Sequence, residues 1–160
     1  MKKSKTVAPS DAPAGTQRLG GEIGWFAGSL TVDGDSLDPA DVTKLLQRSP
    51  TKSWRRGDAV PTSSGTQSFT KRFGRWAFEI SPVDTDEWDI GEVIELLFAG
   101  LPSDAETWRR LAELGHARIS IGLNLPNSSS REFDMKPDLM RFLADRQVRV
   151  WFDIYAEDET

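Results

Sequence analysis

The stretch ARISIGLNL, Ala117 to Leu125, alternates without a break: Ile119, Ile121, Leu123 and Leu125 fall on one side, Arg118, Ser120 and Asn124 on the other. Successive side chains of a pleated strand point to opposite faces, so this pattern predicts a strand with one buried and one wet face. Three further segments read the same way. Glu22 to Val32 puts Phe26, Leu30 and Val32 on one side, Gly74 to Ile80 does so with Trp76, Phe78 and Ile80, and Val148 to Tyr155 with Val148, Val150, Phe152 and Ile154. One apolar side per strand is what a sheet covered on a single face requires.

Between the strands the period changes from two to helical. Asp38 is placed to cap a helix whose first position is Pro39, where a missing N–H costs nothing, and Val42, Leu45 and Leu46 form its buried stripe. Ile90, Val93, Ile94, Leu97 and Phe98 predict a second helix stopped by Gly100. Ser103 and Glu106 suggest a capping box for a third, with Trp108, Leu111 and Leu114 inward and Gly115 as its stop. Pro137 opens a fourth, carrying Leu139, Met140 and Leu143, with Met135 and Met140 read as core filler. The first and last units echo each other, each a strand, an Asp and a Pro at a helix start, then a returning strand. The fold expected is therefore α+β: a four- to five-stranded, largely antiparallel sheet with helices packed on one face, in two strand–helix–strand halves around a central helical pair.

At 160 residues, with six Trp and eight Phe, the chain has material for one core. Residues 1–20 hold Lys2, Lys3, Lys5 and Arg18 among Ala, Pro, Ser and Thr, and read as a disordered basic tail. Residues 21–156 form the single domain expected, and 157–160 an acidic fray. Cys is absent, which removes disulfides and thiolate chemistry. The basic start runs straight into Pro9 and Pro13 without an apolar stretch, so a cytoplasmic location and no membrane contact are expected.

The stretch DGDSLDPADVTKLLQRSPTKSWRRGD, with Gly34, Leu37, Asp38, Pro39, Leu45, Leu46, Pro50, Trp54, Arg55, Arg56, Gly57 and Asp58 in order, resembles a bacterial domain family of unknown function, number forty-two seventy-nine. Gly74-Arg75-Trp76 and the later Phe152-Asp153-Ile154-Tyr155 match further features of it, so the resemblance runs from about Gly21 to Tyr155. It implies a fold and carries no activity or catalytic residues. The departure from the family pattern is a long stretch between Asp58 and Trp76.

No constellation calls for catalysis. His116 is the only imidazole, at a helix-to-strand corner. Gly21, Gly24 and Gly28 lie within a strand rather than between strand and helix, so they fail the context of a dinucleotide fingerprint. The pairs Asp33 with Asp35 and Asp84 with Asp86 sit where turns and helix starts favour Asp. No catalytic residue, metal or cofactor is therefore assigned.

Two candidate surfaces remain. The connection Arg48 to Arg75 holds seven cations (Arg48, Lys52, Arg55, Arg56, Lys71, Arg72, Arg75) against one anion, Asp58, inside a chain of net charge −5. Trp54, Arg55 and Arg56 either meet an anion, with Arg supplying a bidentate fork and Trp a stacking plane, or fold back on the acidic helices while Gly57-Asp58 turns the chain. Ser68 to Phe73 is a candidate strand against the Trp76 strand. The second surface is the helix-free sheet face, expected to carry Trp25, Ser29, Arg118, Ser120, Asn124, Arg149, Trp151, Asp153 and Tyr155, a composition that suits a protein contact. The expected function is thus a small, soluble, non-enzymatic protein-binding module, in its most concrete form an immunity-type protein neutralising a toxin. A phosphate- or nucleic-acid-binding domain acting through residues 48–75 is the alternative, and a homodimer through the sheet face is a further candidate arrangement.

Overall fold

The computed structural model describes residues 23–60, 69–85, 89–125 and 134–156, with the side chains of 23–25, 81–85, 125 and 156 outside that description. The expected tail and the acidic fray lie outside the described residues, as does the side chain of Trp25. Five strands form the main sheet: β1 (Ile23–Gly34), β2 (Lys52–Trp54), β5 (Gly74–Thr85), β6 (His116–Leu125) and β7 (Arg149–Ala156), in the order β2-β5-β1-β6-β7. A two-residue ribbon, β3 (Ala59–Val60) with β4 (Phe69–Thr70), stands apart. Four helices complete the fold: α1 (Pro39–Leu46), α2 (Ile90–Phe98), α3 (Ala105–Leu114) and α4 (Pro137–Asp145). The α+β architecture follows from the alternation read above.

Pairing is antiparallel except between β6 and β7, which run parallel. Because β1 and β2 both oppose β5, they also run parallel to each other with β5 between them. The two strand–helix–strand units therefore share a direction of return but differ in reach: α1 carries the chain two places along the sheet, α4 only one.

The registers set the core. Val32 faces Trp76 and Ala117, and Leu30 faces Phe78 and Ile119, so every apolar row lands on one side. Against it lie Val42 and Leu46 of α1, Val93, Ile94 and Leu97 of α2, Trp108 and Leu111 of α3, and Leu143 of α4, all buried. Each of these side chains contributes roughly 1.5–3 kcal/mol when removed from water. The buried Trp indoles are also satisfied: Trp76 Nε1 donates to Thr43 Oγ1 at 3.1 Å and Trp108 Nε1 to the Pro102 carbonyl at 2.8 Å.

Several local expectations shift. Helix α3 is capped by Asp104 rather than by a box of Ser103 and Glu106: the Asp104 carboxylate accepts from the Thr107 N–H and hydroxyl, while Glu106 turns to Arg109. Met140 is half exposed rather than core filler, because Leu139, Phe142 and Leu143 form the inward stripe and Met140 falls off it. Ile154 is 54% exposed instead of inward. It lies on the edge strand, beyond helices that pack on β5, β1 and β6. Phe69 and Thr70 pair with Val60 and Ala59, not with the Trp76 strand, whose outer neighbour is β2.

Candidate functional site

The same registers that bury one face define the other. Reading across the strands, Lys52, Ala77, Thr31, Arg118 and Arg149 form one row on the helix-free face. At about 4.8 Å per strand it spans about 19 Å. The row on one side of it is Trp54, Arg75, Asp33 and His116; the row on the other is Glu79, Ser29, Ser120 and Trp151. Thr31 and Ala77 are small and buried between their longer neighbours, and Thr31 Oγ1 donates to the Arg118 carbonyl at 3.2 Å.

Asp33 organises the centre. Its carboxylate accepts two bonds from Arg75, Nε at 2.6 Å and Nη2 at 2.7 Å, and Arg118 Nη2 lies 3.9 Å from its second oxygen. The bidentate bond holds Arg75 above its ordinary pKa, against the opposing pull of partial burial. Arg118 is less well served. It lies 5.6 Å from the Trp151 ring centre, and its Nε is buried with no hydrogen-bond partner among the described residues. Arg149 sits directly beside it on β7, and like charges in register weaken a sheet.

Trp151 and Tyr155 lie on this face, 55% and 54% exposed, on the outermost strand. The Trp151 indole donates to Asp153 Oδ1 at 2.9 Å, which fixes its ring rather than hiding it. By register Trp25 pairs with Asn124, and its side chain lies outside the described residues.

The basic connection resolves into pieces with separate duties. Arg48 donates to the Leu97 and Ala99 carbonyls at the end of α2, where the helix dipole favours a cation, and stacks on Phe78 at 4.3 Å. Arg55 Nη2 donates to both Asp38 carboxylate oxygens, at 2.8 and 2.9 Å, while Asp38 caps α1; the Ala40 N–H, and after it Arg55, hold the Asp38 carboxyl below the usual range. Asp58 accepts from the Arg55 N–H at 2.7 Å, and Gly57, at φ 89°, completes the turn that docks on Lys71. Arg55 and Asp58 thus hold bonds to neighbouring segments while remaining exposed, and Arg56 is exposed as well. Trp54 is half-buried beneath cations, with Lys71 at 3.9 Å and Arg75 at 5.1 Å from its ring centre.

The family-like motifs converge at this corner. Gly34 and Gly74 face each other at the end of the β1–β5 ladder, and a Cβ on Gly74 would stand 2.3 Å from the Leu37 carbonyl oxygen. The chain matches the family model "Domain of unknown function (DUF4279)" over residues 26–157. It belongs to that family. Among curated proteins and solved structures, none matches.

The sequence reading places Asp33 in a turn pair with Asp35, Arg75 in the cation run and in Gly74-Arg75-Trp76, and Lys71 in the cation run, and none of these readings brings Arg75 onto Asp33. The signal was present: the alternation that puts Ser29 on the wet face puts Thr31 and Asp33 there too. Among the described residues, no group of three or more His, Asp or Glu side chains could hold a metal ion, and no helix is long and apolar enough to cross a membrane.

Proposed function

We propose that this member of the DUF4279 family is a non-enzymatic, cytoplasmic protein-binding module that takes its partner on the open face of the sheet. Its concrete form is an immunity-type protein that neutralises a toxin by covering it. The observation that carries this reading is Arg118: a half-buried guanidinium with an unmet N–H, beside a second arginine and an exposed Trp. An arginine in that state offers donors to carboxylates or backbone carbonyls of an incoming loop, and Trp151 and Tyr155 offer flat apolar area around it. Trp, Tyr and Arg are the residues that dominate binding energy at such contacts. The net charge of −5 suits a cationic partner, since long-range attraction speeds encounter while the local donors set the register.

The Cys-free chain makes the test direct. A photocrosslinker on Ser120→Cys, on the open face, is compared with one on Glu95→Cys of α2, each mixed with the purified product of the adjacent gene. Crosslinks from position 120 alone, with Arg118→Ala weakening binding about tenfold or more, support the reading. Crosslinks from position 95 alone, or no binding, overturn it.

A second reading, a phosphate or nucleic-acid site, is favoured by Lys52, Arg56, Lys71 and Arg72, for which no ion pair appears among the described residues. Lys71 already occupies the Trp54 ring, which leaves less of it for base stacking. Affinity for an oligonucleotide falling steeply with salt, and abolished by Lys52→Ala with Arg72→Ala, would favour this alternative.

A further inference from the structure

Strand β7 is hydrogen-bonded on one side only among the described residues, and of the devices that protect sheet edges it lacks proline and bulges. Across its eight residues there is no Pro and no bulge, and its register with β6 runs unbroken from Arg149 to Ala156. It exposes Trp151 and Ile154 on opposite faces of the same edge. Soluble proteins blunt such edges with charge, Pro or distortion, because a long, flat, apolar edge pairs with another strand. The charges present on β7 are Arg149 and Asp153. They are opposite in sign, four residues apart, and both on the open face.

We propose that β7 pairs antiparallel with β7 of a second copy, about a two-fold axis perpendicular to the sheet through Trp151. A two-fold antiparallel pair matches each residue to its reflection through the centre. With Trp151 at the centre, Arg149 of one copy stands opposite Asp153 of the other, twice, and Val150 opposite Phe152. A centre at Asp153 would set like carboxylates against each other, and a centre at Phe152 would leave both charges opposite aromatic side chains. The register through Trp151 also gives Arg149 the carboxylate it lacks beside Arg118 among the described residues. The occupant is argued from this self-complementarity: the edge carries its own counter-charge at the matching offset. The resulting dimer is one continuous ten-stranded layer in which the two open faces join. It stands independently of what those faces bind.

Sedimentation equilibrium over a concentration series reads the outcome. The chain is expected to dimerise, and Arg149→Asp or Asp153→Arg alone should weaken the dimer about tenfold or more, since each change turns both symmetric pairs repulsive. The double variant Arg149→Asp with Asp153→Arg should restore it, which a merely unfolded variant cannot do. Directly opposed residues stand about 4.5–5.5 Å apart, so Trp151→Cys should form an intermolecular disulfide on mild oxidation. Asp153→Cys should not, because its own copy lies about four residues away along the strand, roughly 13 Å. A chain monomeric throughout the series, a double variant that fails to recover, or crosslinking at 153 in preference to 151 overturns the proposal. A monomer that still binds its partner overturns this inference alone, and a dimer that binds none overturns only the functional reading.

Discussion

The two faces of the sheet use the same residue types for opposite ends. On the covered face Trp76 has no exposed surface, its ring lies against Val32 and α1, and its indole N–H is answered by Thr43. On the open face Trp151 is more than half exposed, and its indole N–H is answered by Asp153 two residues along the same strand. One tryptophan is held by long-range packing, the other by its own neighbour. The contrast teaches that a ring's environment, and not its identity, decides whether it contributes to folding or stays available for contact. It also separates the arginines. Arg75 is clamped in two bonds by Asp33, whereas Arg118, in the next row, receives only the far oxygen of the same carboxylate.

The comparison can be broken most severely at Trp76. Trp76→Ala should cost about 3–5 kcal/mol in urea denaturation, because the vacated volume lies between sheet and helix and cannot close. If Trp76→Ala and Trp151→Ala prove equally harmful, the two faces are not distinct. Asp33→Ala comes next. Removing a half-buried carboxylate that receives a forked charged bond should cost about 1.5–3 kcal/mol and leave Arg75 without its partner. Arg75→Ala should cost a comparable amount, since it strands the equally half-buried Asp33 carboxylate with Arg118 3.9 Å away.

Acid should act at the helix starts. Asp38 and Asp104 are held below their ordinary value of 3.8, each chiefly by a backbone N–H at a helix start, and Glu106 below 4.5 by Arg109. A carboxyl with a lowered folded-state value stabilises fully above its ordinary value and loses that contribution as pH falls through the lowered one. The denaturation midpoint should therefore hold down to about pH 5 and decline below 4, and Asp38→Asn should flatten the decline. The smallest effect belongs to the open face: Trp151→Ala should leave stability within about 0.5 kcal/mol while removing the docking surface. A larger loss would mean that this ring belongs to the core.

Much of the fold was legible because alternation and helical spacing act locally. Asp38 with Pro39, the α2 stripe and the β6 pattern each state their element within a dozen residues. What was not legible depends on register between distant segments. That Arg75 meets Asp33, or that Arg55 meets Asp38, follows from β1 aligning with β5 and from β2 adding to the far side of β5, and neither offset is written in a single strand. The basic connection looked like one functional loop because its cations are contiguous in the chain, yet Arg48, Arg55 and Arg75 each answer a different acceptor. The exposed side of Ile154 was misjudged for a related reason: period two shows which way a residue points, not whether a helix reaches far enough to cover it.

The parallel pairing of β6 and β7 has a consequence for how the molecule is made. A parallel neighbour cannot be supplied by a tight hairpin; it must wait for an entire crossover to be synthesised. Until Arg149 to Ala156 arrive, β6 is itself the margin of a four-stranded sheet, with Ile119, Ile121 and Leu123 lacking the lateral support that β7 gives. The nascent chain thus passes through an interval in which a strand with a fully apolar inner face borders solvent. Slowing translation across α4 should lengthen that interval and raise the demand for chaperones.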